Sequence, residues 1–279
     1  MIITIFGLCA RAEGNWLSTA SVVALLTDLG AEPQAARSSI SRLKRRGVLL
    51  SARNGNVGYS LSESTLEVLA EGDVRIFKHD RASEDDGWVL AVFSIPESER
   101  DKRYTLRSAL TRLGFGNASP GVWIAPATLA RETKKTLERR GLSEYVDMFT
   151  GQHYAFDDLR SKIPVWWDLD ELARLYTDFL QQYRPILYRT TVTPPTPHEA
   201  FQIYVPMLTE WRRLPYRDPG LPLSLLPPAW NGESAGALFH ELNEMLFPLA
   251  QKHALAVIHG QREKREASKP ARPKRVREL

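Results

Sequence analysis

Gln34, Ser38, Ser41, Arg42 and Arg45 fall on one side of a helix if residues 33–46 are helical, with Arg37 and Lys44 on one flank and Arg46 on the other. Arg and Lys bring charged donors for phosphate oxygens, and together with Gln and Ser they can also bond base edges. A little further on, Arg53, Asn54 and Asn56 surround Gly55. The chemistry these residues offer is recognition of a polyanion, with no bond made or broken. The opposite side of the same segment carries Ala36, Ile40, Leu43 and Gly47, within about 60° of one another at 100° per residue. One face is therefore expected to pack and the other to reach a DNA groove.

The elements that must hold these groups follow from the local pattern. A first helix is expected over Ile2 to Ala10. Ser18 or Thr19 can cap a second, whose Val22, Leu25, Leu26 and Leu29 recur at i, i+3, i+4, i+7. Gly30 suits its end, and Pro33 suits the first turn of the third helix. Gly47 then stops that helix, and Val48 to Arg53 and Val57 to Leu61 read as strands joined through Asn54-Gly55-Asn56. Helix, helix, basic helix and a two-stranded wing is the order of a winged helix-turn-helix. Residues 62–78 read as a short helix and connector, and Arg81 to Gly87, with three consecutive acids, as an exposed linker.

Composition bounds the rest. The 279 residues suffice for two or three domains, at 43% hydrophobic and 25% charged. No apolar run approaches the ~20 residues that span a bilayer, and no basic residue precedes the apolar start, against a signal peptide. One cysteine, Cys9, excludes an internal disulfide and a Cys-rich zinc site, and suits a reducing cytoplasm. Residues 1–61 carry seven Lys/Arg against three Asp/Glu, and residues 262–279 carry eight against three. The middle carries 22 against 27, so polyanion binding is expected at the ends.

The fold class expected is α+β, in four parts. Residues 1–80 form the winged helix-turn-helix. Residues 88–160 alternate strands (WVLAVFSI, GVWI, YVDMF) with helices stopped near Gly114 and Arg140, in the order of a ferredoxin-like domain. Residues 165–260 form a mainly helical domain, opened by the capping pair Asp168 and Glu171 and closed by a helix over Ala235 to Ala256. Ten of the eighteen prolines lie between Pro185 and Pro228, so short helices and rigid loops are expected there. Residues 261–279, with Lys269, Arg272, Lys274, Arg275 and Arg277, form a basic tail without apolar periodicity, expected to be disordered.

Catalytic chemistry finds no support. His240-Glu241-Leu242-Asn243-Glu244 lacks the second histidine of a zincin helix, and His253 and His259 fall on different helix faces. No Gly-rich phosphate loop follows a strand, and Ser94 and Ser143 lack a nucleophile's setting. No catalytic residue, metal or cofactor is expected.

Five stretches carry a family resemblance: IITIFG, ARSSISRLKRRGVL, YSLSESTLEVL, WWDLDELARLYTDFL and WRRLPYRDPGLPLSLLPPAW. They resemble the PaaX repressors of aromatic-acid catabolism, notably of the phenylacetate pathway. The resemblance implies a homodimer that binds double-stranded operator DNA and is released by phenylacetyl-coenzyme A or a related thioester. It also implies a middle domain similar to the small nuclease of CRISPR adaptation, in which an Asp ending the first strand carries the metal. Here that stretch is Val92-Phe93-Ser94-Ile95, with Ser94 in place of the carboxylate. An acyl-coenzyme A ligand needs cations for its phosphates and an apolar slot. Arg184, Arg189, Arg212, Arg213 and Arg217, near Trp166, Trp167, Trp211, Tyr216 and Trp230, are the expected region. A metal-dependent nuclease and a ligand-independent DNA-binding activator are the alternatives.

Overall fold

The computed structural model describes residues 1–10, 13–78, 81–154 and 158–267, with side chains as far as residue 261. The basic cluster from Lys269 to Arg277 lies outside them. The chain mixes helices with two small antiparallel sheets and divides into two compact units. Of the described residues, those within 1–70, 192–209 and 242–267 form the first, and those within 71–191 and 210–241 the second. No helix among the described residues is long and apolar enough to cross a membrane.

The first unit opens with α1 (Ile2–Ile5), which continues as a π-helical turn over Phe6–Ala10, with Ile5, Phe6 and Cys9 buried. The two-residue strand β1 (Leu17–Ser18) leads into α2 (Thr19–Asp28). Ser18 is its cap: its hydroxyl accepts from the Ser21 amide at 2.9 Å. Val22, Leu25 and Leu26 are buried, and Gly30 adopts φ +82° just past the helix end. After α3 (Pro33–Arg45), Gly47 at φ +70° turns the chain into β2 (Leu49–Asn54), which returns as β3 (Asn56–Leu61). Arg53 faces Val57 and Asn54 faces Asn56, with Gly55 at φ +66° between them. The sheet runs β1-β3-β2, so β3 is central.

In α3 the packing stripe is narrower than its periodicity suggests: Ala36 and Ile40 are buried, Leu43 is half-buried and Gly47 is exposed. Residues 63–77, expected as a short helix and connector, form one helix, α4 (Glu63–Phe77).

The second unit holds β4 (Trp88–Val92), α5 (Arg100–Arg112), β5 (Gly116–Ser119), β6 (Val122–Pro126), α6 (Ala130–Arg139) and β7 (Asp147–Gly151). Their sheet runs β5-β6-β4-β7 and is antiparallel throughout. Both faces are covered, in keeping with the two-residue alternation of side chains along a strand. Val89 and Ala91 share a core with Leu106, Leu110 and Leu137, while Trp88 and Ile124 share another with Ile163, Trp167 and Leu221. The helices that follow are α7 (Leu159–Trp166), α8 (Leu169–Val192), α9 (Pro197–Trp211), α10 (Leu214–Arg217) and α11 (Gly232–Ala267). Asp168 accepts from the Glu171 amide at 2.9 Å at the start of α8. The last helix runs beyond the expected Ala256, so residues 261–267 are helical.

Residues 83–86, with the three acids, are exposed as expected, but the segment is anchored at its start. The Arg81 guanidinium bonds Asp218 and Glu233, Ala82 is buried, and the Ala82 amide donates to the Gly220 carbonyl at 2.8 Å.

Candidate nucleic-acid interface

The exposed side of α3 carries a run of cations. Gln34, Arg37, Ser38, Ser41, Arg42, Lys44 and Arg45 are all exposed, as are Arg46 just past the helix and Arg53 and Asn54 on the hairpin; Asn56 is half-buried. Among the described residues none of Arg37, Lys44, Arg45, Arg46 or Arg53 is held in an ion pair. Arg42 donates to the Ser39 hydroxyl at 2.9 Å, one turn back on its own helix. Arg42, Lys44 and Arg45 occupy the last turn, where the helix dipole favours positive charge. The surface thus holds positive charge without an internal acid to neutralise it, which is what a polyanion site requires.

The hairpin beside α3 is held from behind by residues that its own pattern does not indicate. Trp16 is buried, and its indole N–H donates to the Ala52 carbonyl at 3.4 Å. Asn15, at φ +58°, bonds Leu61 through both ends of its amide: Nδ2 donates to the carbonyl at 3.0 Å and Oδ1 accepts from the amide at 3.3 Å. Gly58 packs directly under the Trp16 ring, where a Cβ would sit 2.7 Å from ring carbons. With the base fixed this way, the tip presents Arg53 and Asn54 and leaves Val57 54% exposed.

The residues expected to hold a thioester do not gather into one place. Trp167 is buried, donates its indole N–H to the Gly114 carbonyl at 2.9 Å and sits edge-on to Trp166. Trp211 is also buried; it stacks on Phe239 at 4.5 Å and donates to the Ile76 carbonyl at 3.1 Å. Both rings are therefore core, with their polar ends already used. Arg217 pairs with Glu171 at 2.9 Å, and Tyr216 lies under the Arg75 guanidinium at 5.1 Å. Burial, and then the neighbouring Arg213, lower the pKa of Arg212. Arg184 and Arg189 are exposed on α8, and Arg184 edges a shallow groove with Leu180 and Tyr188.

A separate cavity of about 350 Å³ lies in the same unit. Trp88, Pro126, Leu159 and Leu225 give it apolar walls, and its polar lining includes His153 and Arg160 together with the acids Glu84 and Asp158. None of the expected residues lines it, although Leu159 and Arg160 stand on the same helix as Trp166, α7. Ser94 is exposed just past β4.

An exposed basic helix beside a braced hairpin, followed by an antiparallel sheet covered on both faces, defines a modular α+β protein. Comparison with known proteins agrees with that order. Residues 1–65 match the PaaX-like protein family, residues 81–163 the PaaX protein central Cas2-like domain, and residues 167–256 the PaaX-like protein C-terminal domain. The chain belongs to the PaaX family. It is 27% identical to the transcriptional repressor PaaX of Escherichia coli K12, over 90% of this chain and 80% of that protein. It also shares its fold with the uncharacterized protein Rv0674 of Mycobacterium tuberculosis, with a TM-score of 0.57 at 20% identity, over 91% of this chain and 97% of the other.

Proposed function

We propose that this chain is a DNA-binding transcriptional repressor whose first 80 residues are a winged helix-turn-helix. The observation that carries the reading is the run of exposed cations on α3, none held in an internal ion pair, beside a hairpin that presents Arg53 and Asn54. The strand order β1-β3-β2 and the turn between α2 and α3 fit that architecture. In it α3 enters the major groove, Arg42 and Arg45 reach base edges, and Arg37, Lys44 and Arg53 contact phosphates. Gln34, Ser38 and Ser41 add neutral donors and acceptors along the same face, and Asn54 and Asn56 add them at the wing tip.

The central part, residues 88–160, is proposed as a ferredoxin-like domain, which the antiparallel order β5-β6-β4-β7 supports. It acts as a spacer and not as a nuclease, because Ser94 supplies no metal-binding carboxylate. Residues 165–260 complete the effector and dimerisation part. One recognition helix reads only a few base pairs, so a homodimer reading two half-sites about one helical turn apart, ~34 Å, is the working form, and its place is the cytoplasm.

The effector proposed is an acyl-coenzyme A thioester such as phenylacetyl-coenzyme A. The 350 Å³ cavity supports this better than the arginine and tryptophan cluster does, because it is one concave space with an arginine in its lining, whereas the members of the cluster do not come together. The acyl end would enter it beside Leu159 and Leu225, with Arg160 for a phosphate.

Selection of bound duplexes from a random pool, followed by footprinting, tests the reading. An inverted repeat with half-sites one turn or a multiple apart is expected, with release by the thioester and not by coenzyme A or the free acid. Failure to enrich any duplex overturns the repressor assignment. Enrichment with no release by any thioester overturns the effector alone.

A further inference from the structure

Three side chains far apart in sequence meet in the first unit: Asp28, the last residue of α2, His198 in the first turn of α9, and His253 in α11. We propose that they form a binding site for one divalent transition-metal ion of the zinc type.

The geometry carries the proposal. One possible ligand atom from each residue lies within 4.8 Å of the other two. His253 Nε2 and Asp28 Oδ2 are 2.9 Å apart, and the two imidazole rings are 4.9 Å apart, inclined at 62°. Tetrahedral donors at ~2.0–2.2 Å from one zinc ion lie roughly 3.4 Å apart. Closing the site therefore needs the His253 and Asp28 donors to exchange their 2.9 Å contact for the ion, separating by about 0.5 Å, and the exposed His198 to swing in by up to roughly 1.4 Å. Phe201 packs against the His253 ring at 5.2 Å, and Gln202 donates to the Asp28 carbonyl at 2.8 Å, so α9 orients both partners of its own His198.

Electrostatics points the same way. Asp28 sits at the C-terminal end of α2, where the helix dipole disfavours a carboxylate, and the last turn of α2 holds no basic residue. A bound cation relieves that placement. Two imidazoles and one carboxylate select zinc, cobalt or nickel over magnesium or calcium, which prefer all-oxygen cages. A simple Asp28–His253 pair would leave the position of His198 without a purpose. Because the three ligands come from three helices, the ion would cross-link α2, α9 and α11. Since α2 ends at Asp28, the ion also fixes the start of the turn that leads to α3. The site stands independently of what α3 binds.

The test uses the untagged full chain, stripped by chelator and titrated at pH 7.5 with Co²⁺, read by its visible absorption, and with Zn²⁺, read by calorimetry. One ion per chain is expected. His198→Ala should weaken binding at least tenfold, and so should Asp28→Asn, whereas His259→Ala should leave it unchanged. His198 is exposed, so its variant is expected to fold even if His253→Ala does not. Absence of saturable binding in the wild type overturns the proposal, and so does binding that His198→Ala leaves unaltered.

Discussion

Arg81 and Asp218 form a two-point ion pair in the second unit, with Nη2 to Oδ2 at 3.0 Å and Nη1 to Oδ1 at 3.3 Å. Asp218 is fully buried, and its carboxylate also accepts from the Tyr176 hydroxyl at 2.9 Å and the Gly220 amide at 2.8 Å. Burial, and then this carboxylate, hold the Tyr176 phenol far above its ordinary pKa, so it remains a donor at any working pH. Arg81→Met would leave a buried charge without its cation, a loss of about 3–5 kcal/mol, and should lower the melting temperature by on the order of 10 °C. The double variant Arg81→Met with Asp218→Asn should recover part of that loss, because the uncompensated charge is gone. Thermal denaturation of the two proteins side by side checks both statements.

Gly58 and Trp16 set the base of the hairpin. An added methyl group would meet the Leu17 carbonyl oxygen and the Trp16 ring carbons 2.7 Å away, so the ring or the strand has to move. Gly58→Ala is expected to destabilise the first unit by about 1–3 kcal/mol. It should also weaken DNA binding more than its effect on melting predicts, since the tip carrying Arg53 moves with the strand. Paired measurements of melting and duplex affinity separate the two effects.

The pattern of the first 61 residues made much of the proposed interface legible. Burial follows the 3.6-residue period in α2, and Asn54-Gly55-Asn56 can close a tight turn that few other sequences would. β1 escaped because two residues cannot show alternation, and β5 because Gly116, Asn117 and Ser119 lack strand-forming side chains. The acidic run Glu84 to Asp86 is exposed as its composition suggests, but the anchoring of Arg81 escaped because its partner, Asp218, lies 137 residues on. The tryptophans and arginines around residues 166–217 are close in sequence but not in space: Trp167 and Trp211 turn inward while Arg184 and Arg189 face out. The meeting of Asp28, His198 and His253 depends on three separate helices, and no spacing in the chain announces it.

Cys9 tests the packing of the π-helical turn that continues α1. Burial, and then the nearby Glu13, push its thiol pKa up to about 12, so it remains protonated and unreactive through pH 9. A disulfide reagent at pH 8 should label the native chain only as fast as it unfolds, and should label it at once in denaturant. Rapid labelling of the folded protein would mean that this turn is not seated as described.

Arg37, Arg42, Lys44, Arg45 and Arg53 are expected to divide by role, and that division follows from the docking of α3. Arg37, Lys44 and Arg53 are assigned to phosphates, so replacing Lys44 or Arg53 with Ala should weaken binding to every duplex alike and reduce the salt slope by about one. Arg42 must leave the Ser39 hydroxyl to reach a base, an exchange of one hydrogen bond for a bidentate pair.

The affinities of the wild type, Arg42→Ala, Arg45→Ala, Lys44→Ala and Arg53→Ala for a selected operator and a scrambled duplex, over a range of salt, test the central claim most directly. The Arg42 and Arg45 variants should each lose about 1–3 kcal/mol on the operator and far less on the scrambled duplex. The Lys44 and Arg53 variants should lose equally on both. If all four bind both duplexes as the wild type does, α3 and its hairpin are not the DNA-binding surface.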